Sequence, residues 1–91
     1  MILINHRANS IKDLKKTNVN FGVEIDLRSD KKKIYLHHDP YQRGVEFKEW
    51  LRYYKHKLIV LNVKEEGLEN KILKFSLFSK LSNWSKIEFL S

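Results

Sequence analysis

Cysteine is absent from this 91-residue chain, and there are only one proline and three glycines. Without cysteine, neither a disulfide framework nor a thiolate metal site is available, and an intracellular setting is the default expectation. Because glycine and proline are so scarce, no linker stands out, and we expect a single domain over residues 1–91. At this length the domain can bury only a thin core.

Long apolar runs are also missing. No run is longer than Leu58–Leu61, which is far short of the roughly 20 residues that a membrane-spanning helix requires. The first residues are apolar only from Ile2 to Ile4, which is too short for the core of a signal peptide. We therefore expect a cytoplasmic protein with no membrane span.

Charge is plentiful and unbalanced, with 18 lysines and arginines against 11 acidic residues and a net charge of +7. Such an excess favours anionic partners, which include phosphate esters, nucleic acid and acidic lipid surfaces. Runs such as Lys31–Lys33 also occur on ordinary solvated faces. Since no nucleic-acid-binding motif is present, a small basic nucleic-acid binder is the weakest of the interpretations.

The first half of the chain reads as strand, helix, strand and hairpin. Ile2–His6 is a short strand, and Ser10 has the character of a helix cap, with a helix to about Asn18. Phe21–Arg28 alternates strictly, with apolar residues on one face and charged ones on the other. Ile34–His37 follows after a few turn residues, which is too close for a helical crossover and predicts a hairpin.

In the second half, an amphipathic helix is predicted from about Val45 to Tyr54, and its aromatic residues are assigned to the core. Those aromatic residues are Phe47, Trp50, Tyr53 and Tyr54. Lys57–Lys64 has the nearly continuous apolar character of a central parallel strand. A helical pattern follows Gly67 as far as Leu81, and Lys86–Leu90 is the last predicted strand.

Strands that alternate with helices predict an α/β fold with a mainly parallel sheet and right-handed crossovers. The expected architecture is a partial TIM-type (β/α) barrel. It has about four mainly parallel strands, a hairpin after the second strand, and helices on one face. An open sheet edge would remain, so self-association through that edge is a further expectation.

Polar residues close or interrupt three of the strands, and in an α/β barrel the carboxyl ends of the strands carry the reactive groups. These residues are His6, Arg7, Glu24, Asp26, Asn62 and Lys64. Glu24 and Asp26 project from one face and suit a hard cation such as Ca²⁺ or Mg²⁺, although an exposed strand alternates in the same way. His6 beside Arg7 suits proton transfer next to a bound phosphate, although a surface pair looks the same.

Taken in order, four segments resemble the opening half of the glycerophosphodiester phosphodiesterase family. They are His6–Arg7, Gly22–Asp26, Ile34–Asp39 and Leu61–Lys64, and the resemblance covers residues 2–64. The family is similar in fold to the phosphatidylinositol-specific phospholipases C. It begins with a His-Arg strand end, a Gly-x-x-x-Glu-x-Asp strand and a His-Asp after a short hairpin.

The resemblance implies metal-dependent hydrolysis of glycerophosphodiesters or related polyol phosphodiesters. His6 and His38 would be the general acid and base, and Arg7 and Lys64 would bind the substrate phosphate. Glu24, Asp26 and Asn62 would hold the divalent cation, with Asn62 standing where the family has a third metal-binding glutamate. The alternative is a truncated, catalytically inactive chain or a phosphate-binding module.

Overall fold

The computed structural model describes residues 3–30, 33–38, 44–63 and 65–90, and within them the chain is a mixed α/β structure with a mostly parallel sheet. The strands are β1 (Ile4–Asn5), β2 (Gly22–Asp30), β3 (Lys33–Leu36), β4 (Leu58–Val63) and β5 (Lys86–Leu90). The helices are α1 (Ile11–Lys16), α2 (Phe47–Leu51), α3 (Leu68–Leu73) and α4 (Ser76–Leu81). The predicted order of elements is confirmed, except that two short helices replace the single helix expected after Gly67.

The parallel strands lie in the order β1-β2-β4-β5, and β3 pairs with β2 in the antiparallel direction. The predicted hairpin is therefore confirmed. Ser29 and Asp30, which have the composition of a turn, instead complete β2 and pair with Ile34 and Lys33. The extra pairing partners that β3 offers explain this, because ladder hydrogen bonds outweigh the weak turn preference of two residues.

One face of the sheet carries the hydrophobic core. Val23, Ile25 and Leu27 of β2 are fully buried, as are Ile59 and Leu61 of β4. Each of the four helices contributes to the same buried cluster, through Leu14, Phe47, Trp50, Leu51, Leu68, Ile72, Phe78 and Leu81. The alternation of β2 thus sends its apolar residues to the helices and its charged residues to the opposite face.

The aromatic residues of α2 were assigned to the core, and three of them lie there. Phe47, Trp50 and Tyr54 are at most 3% exposed, and their rings stack in sequence. Tyr53 is the exception, because it is 39% exposed and lies under the ammonium group of Lys15. The prediction for Tyr53 was wrong, because the apolar stripe at helical spacing contains Phe47, Trp50, Leu51 and Tyr54 but not Tyr53.

Two local features confirm the predicted start of α1. The Ser10 hydroxyl accepts a hydrogen bond from the Asp13 backbone N–H at 3.0 Å, as an N-cap does. The carboxylate of Asp13 lies in the first turn, where the helix dipole favours negative charge. This cap fixes the point at which the loop after β1 becomes helical.

Among the described residues, no helix combines the length and the apolar character that crossing a bilayer requires.

Candidate functional site

The register of the sheet brings the polar residues of β2 and β4 together. In the parallel ladder, Glu24 is paired with Val60 and Asp26 with Asn62. Paired residues of neighbouring strands point to the same face, so Asp26 and Asn62 are side by side on the face opposite the helices. Asp26 is only 2% exposed, whereas Asn62 is half-buried.

His6 lies directly after β1 and contacts the carboxylate of Glu24. Its Nδ1 is 3.0 Å from Oε1 of Glu24, and the side chains are 70% and 17% exposed, respectively. Because a carboxylate only accepts hydrogen bonds, Nδ1 carries the proton and donates it. That contact fixes the ring orientation and directs Nε2 away from Glu24, as in other carboxylate–histidine pairs.

His38 is held by two arginines. Nη2 of Arg7 lies 3.1 Å from Nε2 of His38. The guanidinium of Arg28 donates from Nε and Nη2 to the His38 carbonyl oxygen, at 3.2 and 2.8 Å. Since arginine has only donors, Nε2 of His38 accepts from Arg7 and the imidazole is neutral in this arrangement. A guanidinium and a base are thereby brought into direct contact.

The loop that carries His6 and Arg7 is tied to the core beneath it. The N–H of Ala8 donates to the Glu24 carbonyl oxygen at 2.8 Å, and the indole N–H of Trp50 donates to the Ala8 carbonyl oxygen at 3.1 Å. Arg7 itself has φ of 59°, in the left-handed region that residues other than glycine adopt at a cost. The surrounding hydrogen bonds are what hold this conformation.

Two contributors to the site were missed from the sequence. Asn9 makes two hydrogen bonds with Asp26, one to its carboxylate and one from its backbone N–H. Arg28 was noted only as part of the charged face of β2, and its contact with the backbone of His38 depends on the hairpin geometry. Neither residue has a local signal, because their partners lie 17 and 10 residues away along the chain.

Of the predicted site residues, His6 and Glu24 are in contact, as are Arg7 and His38, while Asp26 and Asn62 are register neighbours. Lys64, the second predicted phosphate ligand, lies outside the described residues. The next residue, Glu65, binds the backbone N–H of Ser29 at 3.0 Å and also contacts the Ser29 hydroxyl. That contact anchors the loop after β4 to the end of β2.

The predicted cation ligands provide only hard oxygen donors, from Glu24, Asp26 and Asn62, which is the chemistry that Ca²⁺ and Mg²⁺ prefer. One oxygen of Glu24 is engaged by His6, and one of Asp26 by Asn9. In the part of the chain that the structure describes, no three histidine, cysteine or acidic side chains gather as a metal-binding group. The set therefore fits a hard cation only if the amide of Asn62 serves as the third ligand.

Comparison of the chain with protein-family models, with curated proteins and with solved structures finds no match. A function for this chain must therefore be inferred from the geometry of these residues and from the resemblance of their motifs.

Proposed function

We propose that the site hydrolyses phosphodiesters of glycerol or a related polyol. The observation that carries the proposal is a double contact: His6, directly after β1, contacts Glu24 of β2, and Arg7 contacts His38, in the loop after β3. Two imidazoles, a guanidinium and the two carboxylates of β2 are the groups that phosphodiester cleavage requires.

The proposal includes an architecture. The order β1-β2-β4-β5, with every helix packed on one face, has the arrangement of one half of a (β/α)₈ barrel with its helices outside. The polar face of β2 would then line the interior of the barrel. Barrels of this kind carry their reactive groups at the face where the carboxyl ends of the parallel strands lie.

Each residue has a role in the proposed reaction. Arg7 moves from Nε2 of His38 to a nonbridging phosphate oxygen when substrate binds, which leaves that nitrogen available for a proton. One histidine takes a proton from the attacking water as its oxygen bonds to phosphorus, and the other gives a proton to the alkoxide whose bond to phosphorus breaks. Glu24 holds the ring of His6 in place through Nδ1. A divalent cation bound by Glu24, Asp26 and Asn62 would neutralise charge that develops on the phosphate.

The direct test is hydrolysis of glycerophosphodiesters by the purified chain, with Mg²⁺ or Ca²⁺ present and with a chelator. We expect His6→Ala and His38→Ala each to lower kcat by about 10²-fold or more, the usual contribution of a general acid or base. Lys12→Ala, on the exposed surface of α1, is the matched control and should leave the rate unchanged. Turnover that survives loss of both histidines would contradict the catalytic assignment.

A second candidate, a phosphate-binding module without turnover, is favoured by one observation. Asn62 is neutral and is paired in register with Asp26, at the position where the resemblance implies a third carboxylate. A thermal melt separates the two functions, because a ligand that binds the native state raises its melting temperature. Stabilisation by glycerol phosphate that Arg7→Ala abolishes, without any turnover, would favour the binding module.

A further inference from the structure

We propose that two copies of this chain associate edge to edge, β1 of each against β5 of the other, and close an eight-stranded parallel barrel. The inference goes beyond the proposed hydrolysis and does not depend on it, although it uses the same half-barrel architecture. Among the described residues, β1 and β5 are the two ends of the parallel path, and each has a neighbour on one side only.

Strand number and direction fit this closure. The path β1-β2-β4-β5 contains four parallel strands, since the three pairings along it are all parallel. A twofold axis along the strand direction places β5 of one copy beside β1 of the other, again in parallel. The result has eight parallel strands with all helices outside, which is the strand number of the (β/α)₈ barrel.

Both edges present apolar side chains where a partner would lie. Ile4 of β1 is 37% exposed and Leu90 of β5 is 44% exposed. Their register partners are Gly22 and Asn62, so both side chains lie on the face that also carries Glu24 and Asp26. On the same face, β5 also carries the Lys86–Glu88 ion pair, the kind of charge that solvated edges usually have. Ile4, Leu90 and this ion pair would all become interior once the barrel closes.

The register makes the contact specific. Ile4, Gly22, Leu58 and Lys86 form one row of paired residues across the sheet. In a (β/α)₈ barrel, a row that is followed once around the barrel returns to its first strand about eight residues from its starting point, so each half contributes a shift of about four residues. Because the strands tilt in the right-handed sense, the shift from β5 to β1 of the second copy runs towards the amino end of that β1. Leu90, four residues after Lys86, therefore faces Ile4 of the second copy.

The net charge of +7 on each copy opposes association, and we expect the dimer to strengthen as salt screens this repulsion.

Cysteine crosslinking tests the arrangement without background, because the chain has no cysteine of its own. Two single variants are made, Ile4→Cys and Leu90→Cys, both at exposed positions. Neighbouring parallel strands are about 5 Å apart, which suits a disulfide between facing residues. We expect a mixture of the two variants to form a covalent heterodimer on oxidation, while neither variant alone crosslinks.

Light scattering of the unmodified chain provides the second measurement, with an expected mass twice the 11.0 kDa of one copy. A monomer at every concentration and salt level would overturn the proposal. Crosslinking of Leu90→Cys with itself would overturn it too, because it would show β5 against β5 instead. Both measurements are made without substrate. A monomeric chain would therefore not contradict the proposed hydrolysis, and absence of hydrolysis would not contradict the dimer.

Discussion

Asn9 clamps Asp26 at two points: its Nδ2 donates to Oδ2 of the carboxylate at 3.0 Å, and its Oδ1 accepts the Asp26 backbone N–H at 2.9 Å. The clamp joins the loop after β1 to the middle of β2. It satisfies a backbone donor of a residue that is only 2% exposed, and it orients a carboxylate of the candidate site.

Replacement of Asn9 by alanine should destabilise the fold by about 1–3 kcal/mol, because it leaves a buried N–H and a carboxylate oxygen without these partners. Asn9→Asp is the informative companion. It keeps the acceptor for the Asp26 N–H but sets a second carboxylate against Oδ2. Urea unfolding should therefore rank the aspartate variant below alanine near neutral pH and bring it closer under acid conditions, where carboxylates are protonated. An equal gap between the two variants at both pH values would contradict this account of the clamp.

Arg7 should carry a measurable backbone strain, since its φ of 59° suits glycine better than arginine. Arg7→Gly and Arg7→Ala both lose the contact with His38, but only glycine relieves the backbone. We expect the glycine variant to be more stable than the alanine variant by about 0.5–1 kcal/mol. Neither variant should bind phosphate at this site, because both lack the guanidinium of Arg7. Equal stabilities in chemical denaturation would show that the loop relaxes when the guanidinium is removed.

Gly44 lies where no larger residue fits. A Cβ atom at this position would collide with the carbonyl oxygen of Leu36. The N–H of Leu36 donates to the carbonyl oxygen of Val45, the residue after Gly44, at 3.0 Å. Gly44→Ala should cost about 2–4 kcal/mol, since backbone must shift.

Gly67→Ala is the matched control for Gly44→Ala. Gly67 has open space around it and a φ of 82°, so only the strain of about 1 kcal/mol applies. Thermal melts of the two variants give the comparison, and a smaller loss for Gly44→Ala than for Gly67→Ala would refute the collision.

Burial raises the pKa of Tyr54 to about 12, against an ordinary value of 10.0, and its hydrogen bond with Ser85 offsets only part of this shift. Because the folded state resists ionisation, the stabilising effect is complete below pH 10 and is lost as pH rises towards about 12. The melting temperature should fall across that window more steeply than in Tyr54→Phe, which has no phenol to ionise. If the melting temperatures of the two proteins fell equally steeply with pH, Tyr54 would be excluded as the titrating group.

Much of the fold could be predicted because the signals for it are local. The alternation of β2 and the apolar run of β4 each identify a strand, and the Ser10 cap marks the start of α1. The division of the last helical region into α3 and α4 was not foreseen, because the helical spacing continues through Phe75 while the backbone there is extended. Tyr53 was misplaced because it was grouped with the other aromatic residues, although it lies off the helical stripe that Phe47, Trp50 and Tyr54 share.

The candidate site was harder to predict than the fold. His6, Arg7, Glu24 and Asp26 could be singled out because polar groups that close or interrupt apolar strands are unusual. Their pairing into His6–Glu24 and Arg7–His38 depends on strand order, which composition does not encode. The clamp by Asn9 had no signal at all, because an asparagine before a helix cap is ordinary in a loop.

The central position of β2 determines which parts of the molecule open together in local unfolding. β2 is the longest strand, with nine residues, and it pairs with β1, β3 and β4. Its amides should therefore be among the slowest to exchange with deuterium, and they should open only when the sheet itself unfolds. Glu24 and Asp26 belong to this slow-exchanging unit, and the Ala8 N–H, which donates to the Glu24 carbonyl oxygen, ties the loop of His6 and Arg7 to it. The two carboxylates should therefore keep their places until the sheet itself unfolds.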